Sequence, residues 1–169
     1  MRRSRPHRRA RLLVVAVALA LPAACSRPNT EPRCRAVPAT ILMAESVPSA
    51  GLVPCVASLP DGWAVEAFSA DDEAGTFTLG HEDGAQLRVV LRATCVPADD
   101  PFDGEAQTEG VVQRMTEGDD GEVRWTSTFA GGCVVETLTV PRASAADTDS
   151  EIHESIGLLP RDELASELA

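Results

Sequence analysis

Several segments of this chain alternate between apolar and polar residues, and this alternation constrains its fold more than any other feature. In QLRVVLR, Leu87, Val89 and Leu91 lie on one side, and Arg88 and Arg92 lie on the other. A period of two is typical of a β-strand with one buried face. Five other segments are strand candidates because they alternate in the same way or are bounded by turn residues. They are WAVEAF, GTFTLG, GVVQRMT, EVRWTSTF and CVVETLTV. We therefore expect about six short strands.

Turn signals separate these segments at hairpin spacing. Asp83-Gly84 and Asp120-Gly121 are dipeptides that favour two-residue hairpin turns. Strands that are neighbours in sequence should therefore pair antiparallel. The polar stretch over residues 98–109 has no period and is predicted to be a loop.

Helices are expected at both ends of the folded part. Pro38 suits a first helical turn and Pro48 ends the pattern, which predicts a helix over residues 38–46. Near the C-terminus two segments carry apolar residues at helical spacing, the first with Ile152, Ile156 and Leu159 and the second with Leu164 and Leu168. The predicted class is α+β: an antiparallel sheet of about six short strands, with a short N-terminal helix and C-terminal helices packed on one face.

The first residues of the chain have the pattern of an export signal. MRRSRPHRRAR carries six arginines and no acid, and LLVVAVALAL follows with ten apolar residues. A basic start and a short apolar segment are typical of a secretory signal peptide. The apolar run is shorter than the ~20 residues that span a bilayer. The general secretory route and the twin-arginine route both stay open.

The apolar run ends at Cys25. In LPAAC, Ala23 and Ala24 precede this cysteine as in a bacterial lipobox, although Pro22 stands where that pattern has leucine. Cleavage after the ALA of residues 18–20 and an uncleaved anchor are the alternatives. Lipidation of Cys25 is favoured because it leaves an even number of cysteines for an oxidising compartment.

The other four cysteines are Cys34, Cys55, Cys95 and Cys133. They can pair in three ways, and the nearest pairing in sequence is Cys34–Cys55 with Cys95–Cys133. Each of these bridges would contribute roughly 3–4 kcal/mol. The predicted organisation is a signal peptide over 1–24, a lipidated cysteine and tether over 25–33, and one globular domain over 34–169. Its expected location is the extracytoplasmic side of the cell membrane.

Charge narrows the class of partner. The six leader arginines leave nine basic residues against 26 acidic ones from Cys25 onward, a net charge of −17. Nucleic acid is excluded because its phosphates would repel such a domain. The expected partners are the membrane, through the lipid anchor, and an envelope protein or a small-molecule ligand.

The sequence offers little that resembles catalysis. No two cysteines have zinc-finger spacing, and no G-x-S-x-G motif accompanies His81 or His153, the two histidines that follow the leader. Both are interpreted as surface histidines. Acidic runs such as Asp71–Glu73 and Asp99–Asp103 lie in predicted turns. Weak calcium binding at Asp99–Glu105 is an alternative, but this segment lacks the ligand spacing of an EF-hand, and a solvated charge run explains the same residues. We predict no catalytic residue, no metal and no cofactor.

The order of the motifs resembles a family of uncharacterised actinobacterial lipoproteins. The motifs are the lipobox, VPCVASLPDGW, the strand series, FAGGCV and LLPRDEL. That resemblance implies a lipoprotein and no known activity. The entry into the sheet through LPDGW is also similar to PsbP/Mog1-like lipoprotein domains.

Two functions follow as hypotheses. The first is a membrane-anchored, non-enzymatic binding or envelope-support domain. The alternative is a secreted or anchored hydrolase that uses His81 or His153 with nearby carboxylates. A histidine in a concave pocket, within hydrogen-bond reach of an acid or a serine, would keep the second hypothesis open.

Overall fold

A seven-stranded antiparallel sheet forms the body of the protein. The computed structural model describes residues 31–95, 105–108, 110–118, 121–141 and 148–169. The helices are α1 (Pro38–Ser46), α2 (Thr148–Glu154) and α3 (Arg161–Glu167). The strands are β1 (Leu52–Val56), β2 (Trp63–Ala70), β3 (Ala74–His81), β4 (Gln86–Arg92), β5 (Glu105–Thr108), β6 (Val111–Glu117), β7 (Glu122–Phe129), β8 (Gly132–Thr139) and β9 (Ile156–Pro160).

The predicted α+β class is confirmed. The strand order in the main sheet is β2-β3-β4-β8-β7-β6-β5, and every neighbouring pair is antiparallel. The predicted hairpins are present, with Gly84 and Gly121 at positive φ beside their turns. The seventh strand was not expected. Residues 105–108 form edge strand β5 along β6 instead of continuing a loop.

A second, two-stranded sheet pairs β1 with β9 and corrects one helix prediction. The helical pattern was expected to continue through Ile156 and Leu159, but α2 ends at Glu154. Ile156 instead pairs with Val56, and Leu159 with Val53. The cause is non-local: β1 supplies hydrogen-bonding partners for residues 156–160, and such pairing overrides a local helical pattern.

One face of the main sheet carries the core. Phe77, Leu79, Leu87, Val89, Leu91, Val134 and Leu138 are fully buried there. Helix α1 packs over β3, where a Cβ on Gly75 would lie about 3 Å from Met43 and Ser46. A larger residue at that position would force the helix away from the sheet. Helix α2 contributes buried Ile152 to the same core.

Two disulfides tie segments outside the strands to the sheets. Cys34 bonds to Cys55, and Cys95 bonds to Cys133. This is the pairing nearest in sequence. The first bridge joins the segment before α1 to β1, and the second joins the chain after β4 to the start of β8.

The first residue of the last helix, Arg161, ties that helix to the end of α1. The guanidinium of Arg161 donates to the backbone carbonyls of Ala44, Val47 and Ala50, at and beyond the end of α1. Leu164 is buried, but Leu168 is 59 % exposed, so the apolar stripe predicted for α3 is only half covered. In the part of the chain that the structure describes, no helix has the length and apolar character needed to cross a membrane.

Candidate functional site

An open cleft of about 820 Å³ lies between the second half of the main sheet and strand β9. Its volume is in the range of small-molecule sites. Most of its lining is apolar, from Leu52, Val111, Met115, Trp125, Ile156, Leu158 and Pro160. The polar lining residues are Gln113, Ser127, Glu136, His153 and Glu154. An apolar cleft with a few convergent polar groups is the usual form of a ligand site.

Four of these polar side chains form one hydrogen-bonded chain. His153 Nδ1 lies 2.7 Å from Glu136 Oε2, and His153 Nε2 lies 3.1 Å from Gln113 Nε2. Gln113 Nε2 also donates to Ser127 Oγ at 3.3 Å. The chain runs from β8, through α2, to β6 and β7, so it links three strands and a helix.

Strand register explains why these groups meet. Met115, Trp125 and Glu136 are cross-strand neighbours on β6, β7 and β8. The ring of His153 stacks on the indole of Trp125, with centroids 4.5 Å apart and an interplanar angle of 5°. Ile152, the preceding residue, is fully buried and anchors α2, which places His153 over this row.

Glu136 is a carboxyl group on the core face of the sheet. Its side chain is only 5 % exposed. Burial raises the pKa of Glu136 because the charged form loses hydration, and the hydrogen bond and positive charge that His153 can supply oppose this rise. The net effect is a raised pKa, so the carboxyl group of Glu136 takes up a proton more readily than an exposed glutamate does.

The partners also define the tautomer of His153. Gln113 Nε2 is an amide donor, so the ring nitrogen that faces it must accept. Nδ1 then carries the proton and donates it to Glu136. In this arrangement both ring nitrogens of His153 have a hydrogen-bond partner.

This geometry favours binding over nucleophilic catalysis. A histidine base needs a free ring nitrogen against a hydroxyl or thiol. The groups that contact the His153 nitrogens among the described residues are a carboxylate and an amide. Ser127 is buried and is connected to His153 through Gln113. The four groups form a rigid polar end to an apolar cleft.

His81 has a different role. Its Nδ1 lies 2.7 Å from Asp83 Oδ1, inside the β3–β4 hairpin. The centroid of its ring lies 5.2 Å from that of Trp63, and the ring fills the space beside Gly62, where a Cβ would clash with Nε2. These contacts fix the hairpin and the start of β2, so His81 is a structural residue.

Both histidines were interpreted as surface residues, and both are half-buried. The side chains of His153 and His81 are 21 % and 18 % exposed, and each faces an acid. His153 lines the cleft, whereas His81 supports a turn. The two are not brought together in one site.

Sequence reasoning missed Glu136, Gln113 and Trp125 as site residues. A signal for Glu136 exists: in CVVETLTV it shares a face with Val134 and Leu138, where an acid interrupts an apolar row. No comparable signal marks Gln113, because polar residues are common on an outer strand.

The acidic runs give no metal site in the part of the chain that the structure describes. Asp71 Oδ1 accepts from the backbone amides of Glu73 and Ala74 in the β2–β3 turn, and these bonds lower the pKa of Asp71. Residues 99–104 of the calcium candidate Asp99–Glu105 lie outside the described residues, as does Cys25, the predicted lipidation site.

Comparison with known proteins adds no relative. No protein-family model, curated protein or solved structure matches this chain.

Proposed function

We propose that this protein is a lipid-anchored, extracytoplasmic binding protein whose cleft takes a small amphipathic molecule. The observation that carries the proposal is the composition of the cleft: an apolar wall, with a satisfied Gln113–His153–Glu136 chain as its polar end. An apolar ligand body would cover the wall. A polar head would exchange hydrogen bonds with the chain.

The charge of the cleft selects the ligand head. Among the described residues that line the cleft, the ionisable acids are Glu136 and Glu154, and none is an arginine. An anionic head would therefore face like charges in a partly desolvated place, which costs free energy. A neutral hydroxyl or a cationic amine meets acceptors there. The ligand class is an apolar body with an alcohol, amide or amine head.

The location rests on three features. The leader and LPAAC are the sequence pattern of an exported lipoprotein. Two disulfides are compatible with an oxidising compartment. The acidic charge balance of the chain suits a domain that is held at a membrane by its anchor and not by its surface.

A head-group series tests the ligand class. The soluble domain is titrated with 1-decanol, decylamine and decanoate, below their aggregation concentrations. The indole N–H resonances of the two tryptophans report binding, because Trp125 lines the cleft and Trp63 does not. We expect saturable shifts at Trp125 with the alcohol and the amine, at least about tenfold tighter than with decanoate.

Equal shifts at Trp63 and Trp125, or equal affinity for all three heads, would contradict the proposal. The first result would indicate non-specific adsorption. The second would show that Glu136 and Glu154 do not face the ligand.

A hydrolase is the second candidate, and one observation favours it. His153 lies in a concave site at 2.7 Å from a buried acid, as a general base requires. Gln113 would have to move away from His153 Nε2 before a nucleophile or a water molecule could donate a hydrogen bond to that ring nitrogen. A Gln113→Ala variant should then hydrolyse p-nitrophenyl acetate faster than wild type. If neither protein shows hydrolysis that depends on His153, the hydrolase hypothesis is contradicted.

A further inference from the structure

We propose that the face of the main sheet opposite the core holds a second site, which binds the phosphate group of a small soluble phosphate ester. The site is a depression of about 340 Å³ on the face opposite the core. It is lined by Arg88, Val90, Arg92, Cys95, Arg124, Thr126, Val135 and Thr137. This proposal is independent of the apolar cleft, which lies on the other face.

Strand register brings the arginines together. Arg124, Thr137 and Arg88 are cross-strand neighbours on β7, β8 and β4. Adjacent strands lie ~4.8 Å apart, so the Cα atoms of Arg124 and Arg88 are roughly 10 Å apart. Arg92 follows Arg88 on the same face, roughly 13 Å along the strand. Flexible guanidinium groups at these separations can converge on one anion.

The charges at the depression match a dianion. Arg124 pairs with Glu122 at 2.8 Å, whereas Arg88 and Arg92 form no ion pair with any residue that the structure describes. Among the described residues at the depression, these three guanidinium groups and the carboxylate of Glu122 leave two positive charges. A phosphate monoester carries close to two negative charges at neutral pH. Its oxygens can accept paired bonds from guanidinium forks and further bonds from Thr126 and Thr137.

Other acids lie beside the depression and limit where the anion can sit. Asp71, Asp72 and Glu73 line the adjoining groove, together with Arg88 and Arg92. Asp71 is committed to the backbone amides of its own turn. The phosphate is therefore expected on the Arg124 side of Arg88, away from these three acids.

The shape of this face favours a small molecule over a membrane or a protein. The exposed large apolar residues of the described chain, Leu42, Met115 and Leu168, do not line the depression. Membrane insertion and protein docking commonly use such side chains. A concave site with a Val and Thr floor instead admits one phosphate group and its ester.

The test follows arginine side-chain N–H resonances at low ionic strength, with glycerol 3-phosphate as the probe. Arg88, Arg92 and Arg124 should shift together along one saturation curve. The variant Arg88→Gln should weaken binding roughly tenfold or more. Arg114→Gln is the matched control because it removes the same charge. Arg114 lies on the same face of the sheet but does not line the depression. It should change affinity less than about twofold.

Three outcomes would overturn the proposal. Equal weakening by the two variants would indicate diffuse electrostatic attraction. No saturation at millimolar phosphate ester would show that no site exists. Binding to phosphatidic acid vesicles without any response to glycerol 3-phosphate or inorganic phosphate would make this face a membrane-docking surface.

Discussion

His153 Nδ1 and Glu136 Oε2 lie 2.7 Å apart, in a site where the carboxyl group is almost fully buried. The pair joins a C-terminal helix to the middle of the sheet, and it lies at the polar end of the cleft. The effect of this pair on the free energy of unfolding can be measured separately from the ligand binding that we propose for the cleft.

The first prediction concerns the buried charge. Because burial raises the pKa of Glu136, the folded state binds a proton more readily than the unfolded state. Stability should therefore rise as pH falls through the folded pKa toward the ordinary glutamate value. Glu136→Gln keeps an acceptor for His153 and removes the buried charge, so it should raise stability at neutral pH by on the order of 1 kcal/mol.

Urea unfolding of wild type and variant across this pH range measures the effect. Glu154→Gln is the matched control, because Glu154 also lines the cleft but is exposed. The Glu136→Gln variant should lose the rise on acidification that wild type shows, and Glu154→Gln should keep it. A variant less stable than wild type at neutral pH would mean that the ionised pair is net stabilising.

The second prediction concerns the partner of that charge. His153→Ala leaves Glu136 buried without its hydrogen bond and removes the stacked ring from Trp125. We expect a loss of about 1–3 kcal/mol in the free energy of unfolding. In the double variant His153→Ala with Glu136→Leu the loss should be smaller, because no carboxyl group remains to be satisfied. Additive losses would show that the two residues are not coupled.

The third prediction concerns the junction between the two terminal helices. Arg161→Ala removes the donors that satisfy the carbonyls of Ala44, Val47 and Ala50. Unfolding free energy should fall by about 2–3 kcal/mol, since these bonds carry a charged donor. Arg33→Ala serves as the control, because its side chain is 48 % exposed and pairs only at the surface. Its effect should stay within about 0.5 kcal/mol. Equal losses of unfolding free energy for the two variants would contradict a stabilising role of Arg161 at this junction.

How far the sequence predicts the fold depends on the range of the contacts. The alternation of Leu87, Val89 and Leu91 predicts a buried face because each strand carries its own period. The bounds of α1 follow from Pro38 and its neighbours. Strand β9 was missed because Ile156 and Leu159 lie at helical spacing, and only their pairing with β1, about a hundred residues earlier, makes them a strand.

The site was harder to predict than the fold, for the same reason. Gln113, Trp125, Glu136 and His153 come from four elements, and no local pattern connects them. In the sequence, His153 lies in a short helical segment among acidic residues, and that local pattern predicts a surface residue. Its position over Trp125 depends on how α2 packs, and α2 is anchored by the fully buried Ile152.

The fourth prediction concerns the anchor. Cys25→Ala, expressed in a cell that processes lipoproteins, should move the protein from the membrane fraction to the soluble fraction, because the site of acylation is lost. The measurement is the share of protein that sediments with membranes after an alkaline wash. A variant that still sediments as wild type does would contradict lipid anchoring, and it would leave the cleft proposal intact.

The most direct test of the central claim, that the apolar cleft is the ligand site, compares two substitutions of exposed apolar residues. Met115 is 62 % exposed and lines the cleft, while Leu168 is 59 % exposed on α3 outside it. Calorimetric titration with 1-decanol should give an affinity at least about tenfold weaker for Met115→Glu and unchanged for Leu168→Glu, because only the first introduces a charge into the cleft. Equal affinities for the two variants would contradict the account.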